Sequence, residues 1–141
     1  MIYENGKWTN VTNKEPTAKA NHEIYDLMNV AQDPNDASHY FVTTYGTGVL
    51  EMRDTTLLKR HMPSNSGLYP AAADNPEFYT RTDGAMYDEQ GNLWLMNAGN
   101  VEGNVHVISR DGSWSSFNLL ENGRKITLET PGDILVDRRN P

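Results

Sequence analysis

The stretch from Asp83 to Asn97 (DGAMYDEQGNLWLMN) constrains the fold most, because the chain contains weaker copies of it on both sides. Upstream, Val30-Ala31-Gln32-Asp33-Pro34 leads into Tyr40-Phe41-Val42-Thr43-Thr44, which repeats the order of apolar strand, acidic turn and aromatic-rich strand. Downstream, Asp133-Ile134-Leu135-Val136-Asp137 begins the unit again. The strand-closing aspartates Asp33, Asp88 and Asp137 are 55 and 49 residues apart. These steps lie near the roughly 40 to 50 residue period of four-stranded propeller blades and far from the roughly 34 residues of helical solenoids.

The second half of the unit recurs as well. Residues 1–8, 49–57 and 105–114 each read as a strand, a tight turn and a return strand. Asn5-Gly6 and Asp111-Gly112 are dipeptides that tolerate positive φ at both centres of a type I′ turn, whose twist matches the strands it joins. The spacing therefore predicts an all-β chain, a fragment of a β-propeller with about two complete four-stranded antiparallel blades and partial blades at each end. In this layout residues 1–13 supply strands c and d of a preceding blade, 22–62 the first full blade, 79–120 the second, and 126–141 the start of the next. Strands a to d are expected near Tyr25–Ala31, Tyr40–Tyr45, Gly48–Arg53 and Thr56–His61 in the first blade. In the second they fall near Ala85–Tyr87, Leu93–Asn97, Asn104–Ser109 and Trp114–Leu119. Residues Gly132–Asp137 are expected as a further strand a, and Asn122-Gly123 leaves open an extra hairpin. Pro16, Pro63, Pro70, Pro76 and Pro131 fall between these strands, as central strands require. A blade normally needs at least three companions around a ring, so the reading is of a piece of a larger protein, or of a chain that associates with a second copy through its open sheet edges.

Charge and composition narrow the function. With 19 acidic against 12 basic residues the net charge is −7. Such a surface repels a phosphate backbone, and no Lys/Arg run offers a local exception, which argues against nucleic acid. The absence of cysteine removes disulfides, thiolate nucleophiles and Cys-ligated zinc. No apolar run approaches the ~18 residues of a membrane span, so no membrane insertion by this segment is expected. The first residues carry neither the basic nor the apolar region of a signal peptide.

Because strands alternate in direction, the b-to-c and d-to-a connections share one face, and these are the long ones: 98–104 and 62–82. Long loops on a rigid scaffold mark the face that binds. Tyr45, Tyr69, Phe78 and Tyr79 belong to that face, where amphipathic rings suit glycan or protein contacts. Asn97 and Asn100 complete the candidate ligand-binding set, and Phe78 and Tyr79 have a plainer alternative as anchors of their own loop. No cofactor, metal or catalytic residue is assigned. Asp88, Gly91 and Asn92 read as a tight turn in which the carboxylate accepts backbone N–H groups. Trp94 and its counterpart Phe41 read as packing between blades. Asp33-Pro34-Asn35-Asp36 has the oxygen ligands of a calcium loop but lacks its Gly and Glu, places held by Ser38 and Thr44. His22, His39, His61 and His106 occur singly and read as surface or strand residues. Gly46-Thr47-Gly48 reads as a b-to-c turn.

Taken together, Val30–Pro34, Tyr40–Glu51, Asn65–Leu68 and Gly84–Asn97 resemble two-component-regulator-type propeller repeats of the Bacteroidetes, and among them the propeller proteins associated with type IX secretion. The resemblance implies a seven-bladed propeller in the periplasm or at the cell surface, acting as a sensor ectodomain or secretion component without enzymatic activity. The stretch Asp83–Asn97 as a whole is also similar to the repeats of calcium-dependent six-bladed lactonases, whose central oxygen ligands hold a metal that polarises an ester carbonyl. On that alternative Asn97 is a candidate ligand.

Overall fold

A computed structural model describes residues 1–12, 14–21 and 23–137. Its eight central strands form two consecutive antiparallel meanders. The first comprises β3 (Leu27–Asp33), β4 (Asp36–Gly46), β5 (Val49–Arg53) and β6 (Thr56–His61). The second comprises β7 (Thr80–Tyr87), β8 (Leu93–Ala98), β9 (Val105–Ile108) and β10 (Trp114–Phe117). Each contains the order a-b-c-d, and the end of β4 pairs with the start of β7, Tyr45 with Arg81 and Gly46 with Thr80. The all-β propeller fragment expected from the repeats is the fold observed.

Side-chain alternation explains how the meanders stack. Ala31, Phe41 and Val49 point from the first sheet toward the second, and Ala85, Leu93, Leu95 and Ile108 point back, with Leu68 of the long loop closing the cluster. Val49 and Leu95 are completely buried. On its other face the first sheet carries a second cluster of Ile24, Val42, Leu50, Met52 and Leu57, against which Val11 and Ala20 pack. In β8 the period of two turns Leu93 and Leu95 toward the first sheet and leaves Trp94 on the far face, where its ring stacks on Phe117 at 6.2 Å. Phe41 and Trp94 thus occupy corresponding places, each on the face that follows its own blade.

The N-terminal end forms the expected hairpin, and the rest of the two ends departs from the expectation in part. β1 (Ile2–Glu4) and β2 (Lys7–Thr9) pair as a hairpin, with positive φ at both Asn5 and Gly6. Between the hairpin and the first sheet runs a groove of about 690 Å³, lined by apolar residues such as Ile2, Leu27, Val30 and Val42. The following connection contains a short helix absent from the all-strand reading, α1 (Lys14–Ala20), with Pro16 in its first turn where no intrahelical N–H is required. Asn122-Gly123 does form a hairpin, joining β11 (Leu120–Glu121) to β12 (Arg124–Lys125). Residues 132–137, expected as strand a of another blade, make no strand. They run beside β7, held by the Gly84 N–H to the Gly132 carbonyl. Residues Arg138–Pro141 of that expected blade lie outside the described residues, as does His22.

One turn takes a different type from the one expected. Asp111 keeps a negative φ and Gly112 alone is left-handed, with the Gly112 N–H donating to the Ser109 carbonyl. This is a type I turn closed by a glycine bulge rather than type I′. Asp88 to Asn92 repeats it, Gly91 taking the left-handed place.

Candidate functional site

The loop-rich face is built on a seam of buried threonines that joins the two sheets. Thr44 N–H donates to Thr82 Oγ1 at 3.1 Å, Thr82 Oγ1 donates to the Gly48 carbonyl at 2.9 Å, and Gly48 N–H donates to the Thr80 carbonyl at 2.9 Å. Thr43, Thr44, Thr47, Thr80 and Thr82 are all completely buried. At Thr44 and Thr82 the hydroxyls satisfy backbone groups that the turn Gly46-Thr47-Gly48 removes from the ladder, the Gly48 carbonyl and the Thr47 N–H among them, while the Thr47 hydroxyl itself is buried without a partner.

Above the seam, the connection 62–79 folds back on itself. Asn65 bridges the Met62 N–H and the Arg60 carbonyl, Leu68 enters the core, and the Ala71 N–H meets the Tyr79 carbonyl at 2.6 Å. The expected ligand-binding residues divide accordingly. Tyr45 and Tyr79 converge on Arg81, whose guanidinium carbon lies 5.0 and 5.9 Å from their ring centroids. Tyr45 is oriented by its hydroxyl, which donates to the Glu129 carbonyl at 2.7 Å. Phe78 and Tyr79 are each nearly half exposed. Tyr69 lies apart from this pair, its ring stacked on His106.

Asn97 lies beneath the face. It is completely buried, its amide donates to the Arg81 carbonyl, and its Oδ1 accepts from the Tyr69 N–H at 2.8 Å. That acceptor also faces His106 Nε2 at 3.2 Å, which fixes the ring so that Nδ1 accepts from Ser116 Oγ at 2.9 Å. Burial lowers the His106 pKa to about 4, so the ring is neutral near pH 7. Of the two places expected for the histidines, surface or strand, His106 takes the strand, buried within β9. Asn100 shapes its own loop, its Oδ1 accepting from the Glu102 N–H at 2.9 Å. Asp88 is the turn carboxylate expected, accepting from the Gln90 and Asn92 N–H groups and from Trp94 Nε1.

Strand pairing also assembles a cluster that single-residue spacing could not reveal. Glu51 receives His39 Nε2 on Oε1 at 3.0 Å and His61 Nε2 on Oε2 at 2.9 Å, and Asp33 lies 3.3 Å from His39 Nδ1. His61 is buried at the blade interface between Phe41 and Trp114, with its Nδ1 unpartnered, and the expectation of isolated histidines is corrected there. The hydrogen bond from His61 leads the effects that hold the Glu51 carboxyl below its ordinary value, against the opposing effect of burial. Burial raises the nearby Tyr87, and the Asp33 and Glu51 carboxylates add to that shift. Among the described residues no three His, Asp or Glu side chains are grouped as metal ligands.

Arg81 is the residue of this face that the sequence reading missed. Tyr79-Thr80-Arg81 places a ring and a guanidinium on one side of an extended run, a local signal, but the Tyr45 partner comes only from the pairing of β4 with β7.

Two antiparallel meanders, packed face to face and in sequence, define the class: a fragment of a β-propeller with a loop-rich face. Among solved structures the chain is similar to PorZ, a bacterial surface component of the type IX secretion system of Porphyromonas gingivalis, at 25% identity with a TM-score of 0.57. The alignment covers 64% of this chain and only 12% of PorZ. No family model matches the sequence, and no curated protein does.

Proposed function

We propose that this chain is a non-enzymatic recognition or scaffold module, part of an extracytoplasmic propeller in a sensor or secretion-associated protein, that binds a glycan or protein ligand on its long-loop face. The observation that carries the reading is the likeness to a secretion-system surface component, joined to a loop face where Tyr45 and Tyr79 gather on a rigid seam. Apolar residues left open on the blade faces, Leu27 and Val30 on one side and Phe117 on the other, are consistent with further blades or a second copy beside them.

The test is made in the source cell, with Tyr45→Ala and Tyr79→Ala placed together in the chromosomal gene. The reading predicts normal abundance of the protein, protease accessibility from outside the cytoplasm, and reduced delivery of secreted cargo to the surface or a blunted sensory response. Unchanged delivery and response at normal abundance would contradict it.

A further inference from the structure

We infer that Arg81 is a carboxylate-reading position: it takes a single Asp or Glu side chain from an otherwise weakly charged segment of a protein partner. The inference rests on the proposal that the long-loop face is a recognition surface, and it names the chemistry recognised there.

The guanidinium's surroundings carry the argument. Arg60 is fully engaged with Glu77 and the Thr47 carbonyl, and Arg53 is paired with Asp36. Arg81 is half-buried, yet among the described residues no carboxylate pairs with it, and its Nε is buried without a hydrogen-bond acceptor. What holds it are the Tyr45 and Tyr79 rings. Rings attract a cation through its face and leave the in-plane N–H groups unsatisfied, while desolvation strengthens any charge-assisted bond made there. A planar fork fixed in this way matches a carboxylate in bidentate geometry. Arginine and tyrosine flanked by exposed aromatic rings are also the residues that anchor protein interfaces.

Net charge selects the kind of ligand. A chain of −7 repels a polyanion at long range. The site therefore favours an isolated carboxylate in an uncharged or apolar peptide over an acidic polysaccharide, in which every sugar would meet the same field.

The test is a selection from a random peptide library displayed on phage, made against this chain and against Arg81→Gln, with affinities of the selected peptides then read by fluorescence anisotropy. Wild type is expected to enrich peptides with one Asp or Glu beside apolar residues, and Arg81→Gln to weaken them about tenfold or more. Arg81→Lys, which retains charge without the planar fork, is expected to recover only part of the loss. Amide NMR spectra of the variants that match wild type outside the seam exclude misfolding as the cause. The inference is overturned if no acidic residue is enriched, if Arg81→Gln binds the selected peptides equally well, or if an alginate oligosaccharide binds through Arg81 while no peptide does. Apolar peptides lost on Tyr79→Ala but retained by Arg81→Gln would remove the carboxylate reading and leave the recognition face standing.

Discussion

Glu51 meets His61 diagonally across the β5–β6 pair at 2.9 Å, and the same carboxylate reaches His39 with its other oxygen. Residues on adjacent strands of one sheet face are therefore joined at the surface where the second sheet packs. Because the Glu51 carboxyl is held below its ordinary value, its contribution to stability is complete above the unfolded carboxylate pKa of roughly 4.3 and is lost as pH falls through the lower folded value. Glu51→Gln is expected to cost about 1 to 3 kcal/mol at pH 7 and to flatten the acid limb of stability below pH ~4.3. Urea melts across pH 3 to 7 on both proteins read this directly.

His106 predicts a dependence in a different window. Its folded pKa of about 4 lies below the ordinary 6.5, so between those values the unfolded chain binds the proton more readily, and stability rises with pH. The loss on acidification from pH 7 to pH 4 is of order 3 kcal/mol. His106→Gln is expected to lower stability at neutral pH and to remove this slope. NMR titration of the His106 ring checks the pKa itself.

Gly48 and Gly112 separate strain from collision. Both are left-handed, but a Cβ on Gly48 would collide with the His61 carbonyl oxygen, whereas one on Gly112 would meet nothing within 4 Å. Gly112→Ala should cost about 1 to 2 kcal/mol from backbone conformation alone. Gly48→Ala should cost clearly more and open the seam. Thermal melts of the two variants, side by side, decide the point.

Leu95 is wholly buried in the inter-sheet cluster. Leu95→Ala is expected to destabilise the chain by about 2 to 5 kcal/mol, as measured by chemical denaturation.

These residues show where the sequence was legible. Asp88, Gly91, Asn92 and Trp94 carry their structure locally, because a carboxylate that accepts N–H groups two and four residues on needs no distant partner. The alternation in β8 likewise gave both the strand and its two faces. Other features depend on contacts between distant segments: the Thr44–Thr82 seam, the meeting of His39 and His61 on Glu51, and the convergence of Tyr45 on Arg81. A period of about fifty residues locates strands, but it cannot show which side chains adjacent strands place opposite one another. α1 was hidden by Pro16, which reads as a breaker until its place in the first turn is known. The final segment reads as a strand because its residues alternate, yet its described residues form no ladder with β7 and are tied to it by the Gly84 N–H donating to the Gly132 carbonyl.

The two meanders pack as consecutive blades of one body, joined at the threonine seam. Hydrogen exchange at the Gly48 amide reads this docking, since that N–H donates across the seam to the Thr80 carbonyl, whereas the Thr44 N–H is shared between Thr82 Oγ1 and the Gly48 carbonyl of its own sheet. The Gly48 amide is predicted to exchange only through global unfolding, at the rate of the most protected amides within each sheet. Rapid exchange at Gly48, with the amides inside each sheet still protected, would mean that the sheets are not docked as consecutive blades.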